Sequence, residues 1–140
     1  MPDSGKFSKD RIVVDTYAWV EYFKGSDEGT TAKKFIEGRF DLFTPSIVVA
    51  ELSDKYRREG VGEWELRNRF IKLKTKILPL DEAIADKSGE LKQEIRKKYK
   101  DAGLADAIVL AHSMSVKGLI LTGDEHLRHL ENSIDIKPKN

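Results

Sequence analysis

Cysteine is absent from the 140 residues. That absence excludes disulfide staples, thiolate zinc sites and a cysteine nucleophile. Long apolar runs are missing too. The longest, Ala107–Ala111, falls far short of the roughly 20 residues a membrane helix needs. Met1–Asp10 holds no apolar stretch of the signal-peptide kind, so a soluble, cytoplasmic chain is expected, with no membrane partner. An excess of one charge is also lacking: 25 Lys and Arg face 24 Asp and Glu, for a formal net charge of +1. This balance excludes the uniformly basic chain of a simple nucleic-acid binder. With 35% of residues charged, it leaves room for an acidic pocket beside basic patches.

What is present reads as one α/β domain over residues 11–140, preceded by a flexible polar tail, 1–10. β-branched or apolar runs predict short strands at 11–14, 41–44, 77–79, 119–122 and 134–136. Between them, helical spacing predicts helices over Thr16–Lys24, Thr30–Gly38, Ser46 to about Glu59, and Glu63–Lys74. Further helices are expected from Asp81, as N-cap, to about Lys98, then through the apolar stretch from Leu104 to Ser115, and over Glu125–Glu131. On Glu63–Lys74 the expected buried stripe is Leu66, Phe70 and Leu73. Strands alternating with helices argue for a mostly parallel sheet covered on both faces.

Four acids stand out. Asp15 directly follows the first strand, and Asp124 follows the fourth. Glu51 comes after Ile47-Val48-Val49-Ala50, and Asp106 sits among Leu104, Ala105, Ala107 and Ile108. Open parallel sheets carry their functional cleft outside the carboxyl ends of the strands, where these acids can meet if the helix bearing Asp106 starts at that rim. Like charges ~4 Å apart repel by about 4 kcal/mol at an effective dielectric of ~20, so a shared pocket requires protonation or a hard cation. Mg²⁺ or Mn²⁺ suits an all-oxygen site. Thr16 and Thr122 can orient these carboxylates from behind. Each acid also has a plainer reading. Asp15 and Asp124 can cap helices, Glu51 can pair with Lys55, and Asp106 can favour a helix N-terminus.

Four segments taken together resemble a PIN domain, and within that family are similar to the VapC-like toxins of toxin–antitoxin pairs. They are Val13-Val14-Asp15-Thr16, Thr44 through Leu52, Leu104 through Ala111, and Leu119-Ile120-Leu121-Thr122-Gly123-Asp124. The resemblance implies a three-layer α/β/α sandwich and a Mg²⁺- or Mn²⁺-dependent endoribonuclease. Its catalytic and metal-binding set would be Asp15, Glu51, Asp106 and Asp124. It further implies an RNA substrate, a homodimer and a small antitoxin partner. An rRNA-processing nuclease of the same family would look alike, and a non-catalytic PIN-like scaffold is expected to have lost some of the acids. Two departures are visible: Leu127 stands where the family often has an aromatic, and the segment before Arg11 is longer than usual.

Rival phosphoryl-transfer folds fit less well. A haloacid dehalogenase-type hydrolase wants a second Asp where Tyr17 stands, and a response-regulator receiver wants an acceptor Asp after strand three, where Asp81 reads as a cap. The basic clusters Arg57-Arg58, Arg67 to Lys76 and Arg96 to Lys100 are either solvated helix faces or phosphate contacts. His126 and His129 can join Asp124 at a zinc ion, while His112 reads as a satisfied, partly buried residue. The surplus of large apolar residues in Tyr17, Trp19, Val20, Tyr22 and Phe23, with Trp64 and Ile71 beside the stripe already named, motivates the dimer.

Overall fold

A run such as Ile12-Val13-Val14 is too apolar to sit on a surface, and it becomes the centre of the fold. The computed structural model describes residues 7–139. In it Ile12, Val13 and Val14 are fully buried in β1 (Ser8–Val14), the middle strand of a five-stranded sheet. The other strands are β2 (Asp41–Pro45), β3 (Lys76–Leu78), β4 (Gly118–Thr122) and β5 (Ser133–Asp135). All pairings are parallel, in the order β3-β2-β1-β4-β5.

Among the described residues six helices complete it: α1 (Thr16–Lys24), α2 (Asp27–Ile36), α3 (Ser46–Arg58), α4 (Trp64–Lys74), α5 (Glu82–Arg96) and α6 (Leu104–Val116). The chain winds outward from β1 to β2 and β3 through α1–α4, then crosses back to β4 through α5 and α6. Right-handed crossovers in opposite directions put the two helix groups on opposite faces, which makes the three-layer sandwich. The direction of winding reverses between β1 and β4, and such a reversal opens a crevice at the strands' carboxyl ends.

The helix ends follow local chemistry. Asp15 and Asp81 cap α1 and α5, accepting from the backbone N–H of Ala18 at 2.8 Å and of Ile84 at 2.9 Å. Helix α6 is buried along Ala107–Ser113 and turns directly into β4 through Lys117, a non-glycine residue with φ of 56°. Gly118 must follow, because a Cβ there would lie 2.8 Å from the Arg11 carbonyl oxygen of the neighbouring strand. So tight a turn makes α6 run antiparallel to β4, and its N-terminus therefore reaches the carboxyl rim of the sheet.

Several expectations need correcting. The tail expected over residues 1–10 lies outside the described residues up to residue 6, and from Ser8 the chain is strand, with the Ser8 N–H bonded to the Lys117 carbonyl at 2.7 Å. Helix α2 starts at Asp27 rather than Thr30, because Ser26 caps it through the Gly29 N–H at 3.0 Å. Residues 125–131 form successive turns instead of a helix. On α4 the buried residues are Trp64 and Ile71, while Leu66 is 65% and Leu73 82% exposed. Trp64 is thus core, packed on Tyr56 at 5.9 Å between ring centroids, and does not belong to a free surface.

Candidate active site

All four acids line one cleft of about 450 Å³ at the point where the winding reverses. Asp15 arrives on the end of β1 and is nearly sealed, at 4% exposed. One carboxylate oxygen caps α1. The other accepts from the Thr122 hydroxyl, which in turn accepts from the Asp124 N–H at 2.9 Å. One threonine therefore ties the ends of β1 and β4 together. Between its two polar neighbours Gly123 passes beneath Tyr17, where a Cβ would sit 2.4 Å from the ring. Glu51, on the second turn of α3, accepts from the Thr16 hydroxyl at 2.6 Å and not from Lys55, which pairs with Glu59. Asp106 accepts from the Gly103 N–H at 3.1 Å at the start of α6. Capping roles and cleft positions coincide at Asp15 and Asp106, so the two readings of these residues are not exclusive.

Electrostatics show the strain of this convergence. Burial lifts the Asp15 carboxyl from 3.8 to about 7, against the pull of its bonds to Thr122 and Ala18. Burial also raises Glu51 and Asp106, and the neighbouring carboxylates add to the rise in each. Burial is the largest cause in all three, and carboxyls raised this way in a cleft mark a candidate functional site. Hard divalent cations bind oxygen donors of this kind, so the donor set fits Mg²⁺ or Mn²⁺.

Sequence reasoning undervalued His126. Asp124 accepts from the His126 N–H at 2.8 Å, which folds the imidazole back over the cleft. Its Nδ1 lies 3.1 Å from Asp106 and its Nε2 3.1 Å from Asp101. Burial lowers the imidazole's pKa, but Asp106, Asp101 and Asp124 outweigh it, so the net shift is upward. Asp106, Asp124 and His126 each place a ligand-capable atom within 4.8 Å of the other two. The zinc trio with His129 does not form among the described residues: His129 is exposed and outside this group. The pattern Asp-x-His was the available signal. His112 differs from expectation as well, being 2% exposed with Nε2 unpartnered. Of the basic clusters, Arg67 lies over the Phe23 and Tyr56 rings, and Arg58 and Lys97 are tied to Asp54 and Glu94 on exposed faces. The cations at the cleft itself are Lys24 and Lys55.

This fold and cleft define a class. The PIN-domain family matches residues 12–132, and the chain belongs to that family. No curated protein matches the sequence. Among solved structures, the chain is similar to a toxin–antitoxin complex from Klebsiella pneumoniae, with a TM-score of 0.72 and 20% identity over 90% of this chain and 98% of that one. It is also similar to VapBC2 from Rickettsia felis bound to a promoter DNA fragment, with a TM-score of 0.62 and 19% identity over 89% of this chain and 96% of that one. A third likeness is to VapC20 from Mycobacterium tuberculosis, described as a sarcin–ricin loop cleaving toxin. There the TM-score is 0.59 and the identity 20%, over 74% of this chain and 82% of that one. At these identities the likeness is one of fold.

Proposed function

We propose that this chain is a Mg²⁺- or Mn²⁺-dependent endoribonuclease and acts as the toxin of a toxin–antitoxin pair. The observation that carries the reading is the convergence of Asp15, Glu51, Asp106 and Asp124 in one cleft, three of them with carboxyls pushed up mainly by burial. A bound divalent cation supplies charge neutralisation and Lewis acidity toward a phosphodiester. The chain's own residues prepare its place. Thr122 fixes Asp15, Thr16 fixes Glu51, and Gly103 with His126 fixes Asp106. Lys24 and Lys55, paired with Glu21 and Glu59, stand at the cleft within reach of the RNA backbone. Support for the toxin role comes from the PIN family itself and from the toxin–antitoxin complexes that share the fold.

A cytoplasmic site of action goes with an RNA substrate, and no helix among the described residues is long and apolar enough to cross a membrane. The homodimer and the antitoxin belong to the same proposal. Leu66 and Leu73, exposed one heptad apart on α4, replace Trp64 as the surface on which a protein partner would settle. The test is cleavage of a labelled single-stranded RNA. Cutting with Mg²⁺ or Mn²⁺ that stops in EDTA is the expected result, and undiminished cutting in excess EDTA would overturn the metal mechanism.

A further inference from the structure

A second cavity, of about 270 Å³, opens on the other side of His126, between the C-terminal end of α5 and the turns at 125–131. Its floor is apolar, from Ile95 and Leu130, and its walls carry Tyr99 and the His126 imidazole, edge to face with ring centroids 5.6 Å apart. The Lys98 ammonium stands 5.4 Å from the centre of the Tyr99 ring. Since His126 also contacts Asp106 at 3.1 Å, a single side chain separates this cavity from the acidic cleft.

We propose that this cavity seats one base of the RNA strand beside the scissile phosphodiester and so sets the sequence context that is cut. This rests on the nuclease reading above. Three observations select a base as the occupant. The volume lies just under the roughly 300–1,000 Å³ of drug-sized ligand sites, which suits one heterocycle. Aromatic and apolar walls stack on or pack against a base, as single-strand binders do. Lys97 holds both oxygens of Glu94, which leaves the Glu131 carboxylate at the lining to accept hydrogen bonds from a base's amino group. A strand whose phosphodiester lies among Asp15, Glu51, Asp106 and Asp124 therefore has a pocket for a neighbouring base one side chain away.

The experiment compares the full chain with Tyr99→Ala and Tyr99→Phe, after equal melting temperatures show that both variants fold. One arm cuts a randomised single-stranded RNA pool and reads the new ends by sequencing. The expected result is a base preference near the cut that Tyr99→Ala loses and Tyr99→Phe keeps. The other arm titrates a 2′-O-methyl RNA hexamer into the protein in EDTA and follows the ring signals of Tyr99, His126 and His129 by NMR. Those signals should move, with Kd raised on the order of tenfold in Tyr99→Ala and little changed in Tyr99→Phe. Cutting with an unchanged preference in Tyr99→Ala overturns the pocket alone. Hexamer binding through Tyr99 without any cutting keeps the pocket and overturns the nuclease. Ring signals that stay still at every hexamer concentration, or a Tyr99→Ala defect seen only with a protein partner, overturn the base pocket.

Discussion

Asp15 should make the metal-free protein lose stability as the pH rises through the mildly acid range. Its carboxyl titrates near 3.8 in an unfolded chain and near 7 in the fold, chiefly because it is buried. Between those values the native state holds a proton that the unfolded state has released, so stability falls with rising pH. The slope is about 1.4 kcal/mol per pH unit, and the whole span amounts to roughly 4 kcal/mol. Glu51 and Asp106 are raised as well and act in the same direction. So does His126, whose raised pKa gives stability that is full below its ordinary 6.5 and lost as pH climbs through its folded value. Asp15→Asn isolates the largest contribution, because the amide can still cap α1 while having no proton to lose. Urea denaturation in EDTA at several values between about pH 4.5 and 7.5 is the assay. Wild type should fall steeply and Asp15→Asn much less, with the variant the more stable at the upper end. Parallel curves for the two proteins would refute the reasoning.

Other expectations follow from particular contacts. Saturating Mn²⁺ at 100 times its Kd should stabilise the wild type by ~2.7 kcal/mol and Asp124→Asn by much less, as read from thermal melts. Thr122→Val, which leaves Asp15 and the Asp124 N–H without their shared partner, should cost about 1–3 kcal/mol in urea melts. Trp64→Ala should cost roughly 3–5 kcal/mol because the ring is core. Leu73→Glu should change monomer stability by less than about 0.5 kcal/mol and, in light scattering, halve the mass if α4 forms the dimer contact.

The sheet and the acids were legible because each rests on a local signal. Val13-Val14-Asp15 is a strand with an acid at its end, and Lys117-Gly118 is a turn only a glycine completes. Helix α4 was misread because Trp64/Ile71 and Leu66/Leu73 have the same seven-residue spacing, and periodicity cannot choose between identical stripes. Tertiary packing chooses, through Trp64 on Tyr56 and Arg67 over Phe23 and Tyr56. Residues 125–131 carry helical spacing, but the N–H groups of Leu127 and Leu130 bond three residues back and the Leu127 carbonyl is taken by the Ser133 hydroxyl. That geometry turns Leu127 into the core and leaves no continuous helix. His126 was legible only in part: Asp124 lies two residues away, but its other partners, Asp101 and Asp106, lie more than a dozen residues away in sequence, beyond any spacing rule.

Calorimetric titration of Mn²⁺ into the wild type and Asp106→Asn, with cleavage of a single-stranded RNA followed in the same samples, tests the proposed site most directly. Asp106→Asn should melt no lower than wild type in EDTA, since it removes a carboxylate pushed up chiefly by burial and further by Asp124. Binding heat and cleavage should rise over the same Mn²⁺ range in the wild type, and both should be lost in the variant. Cleavage that survives in Asp106→Asn, or Mn²⁺ binding that does not depend on Asp106, would contradict a metal-dependent nuclease built on these four acids.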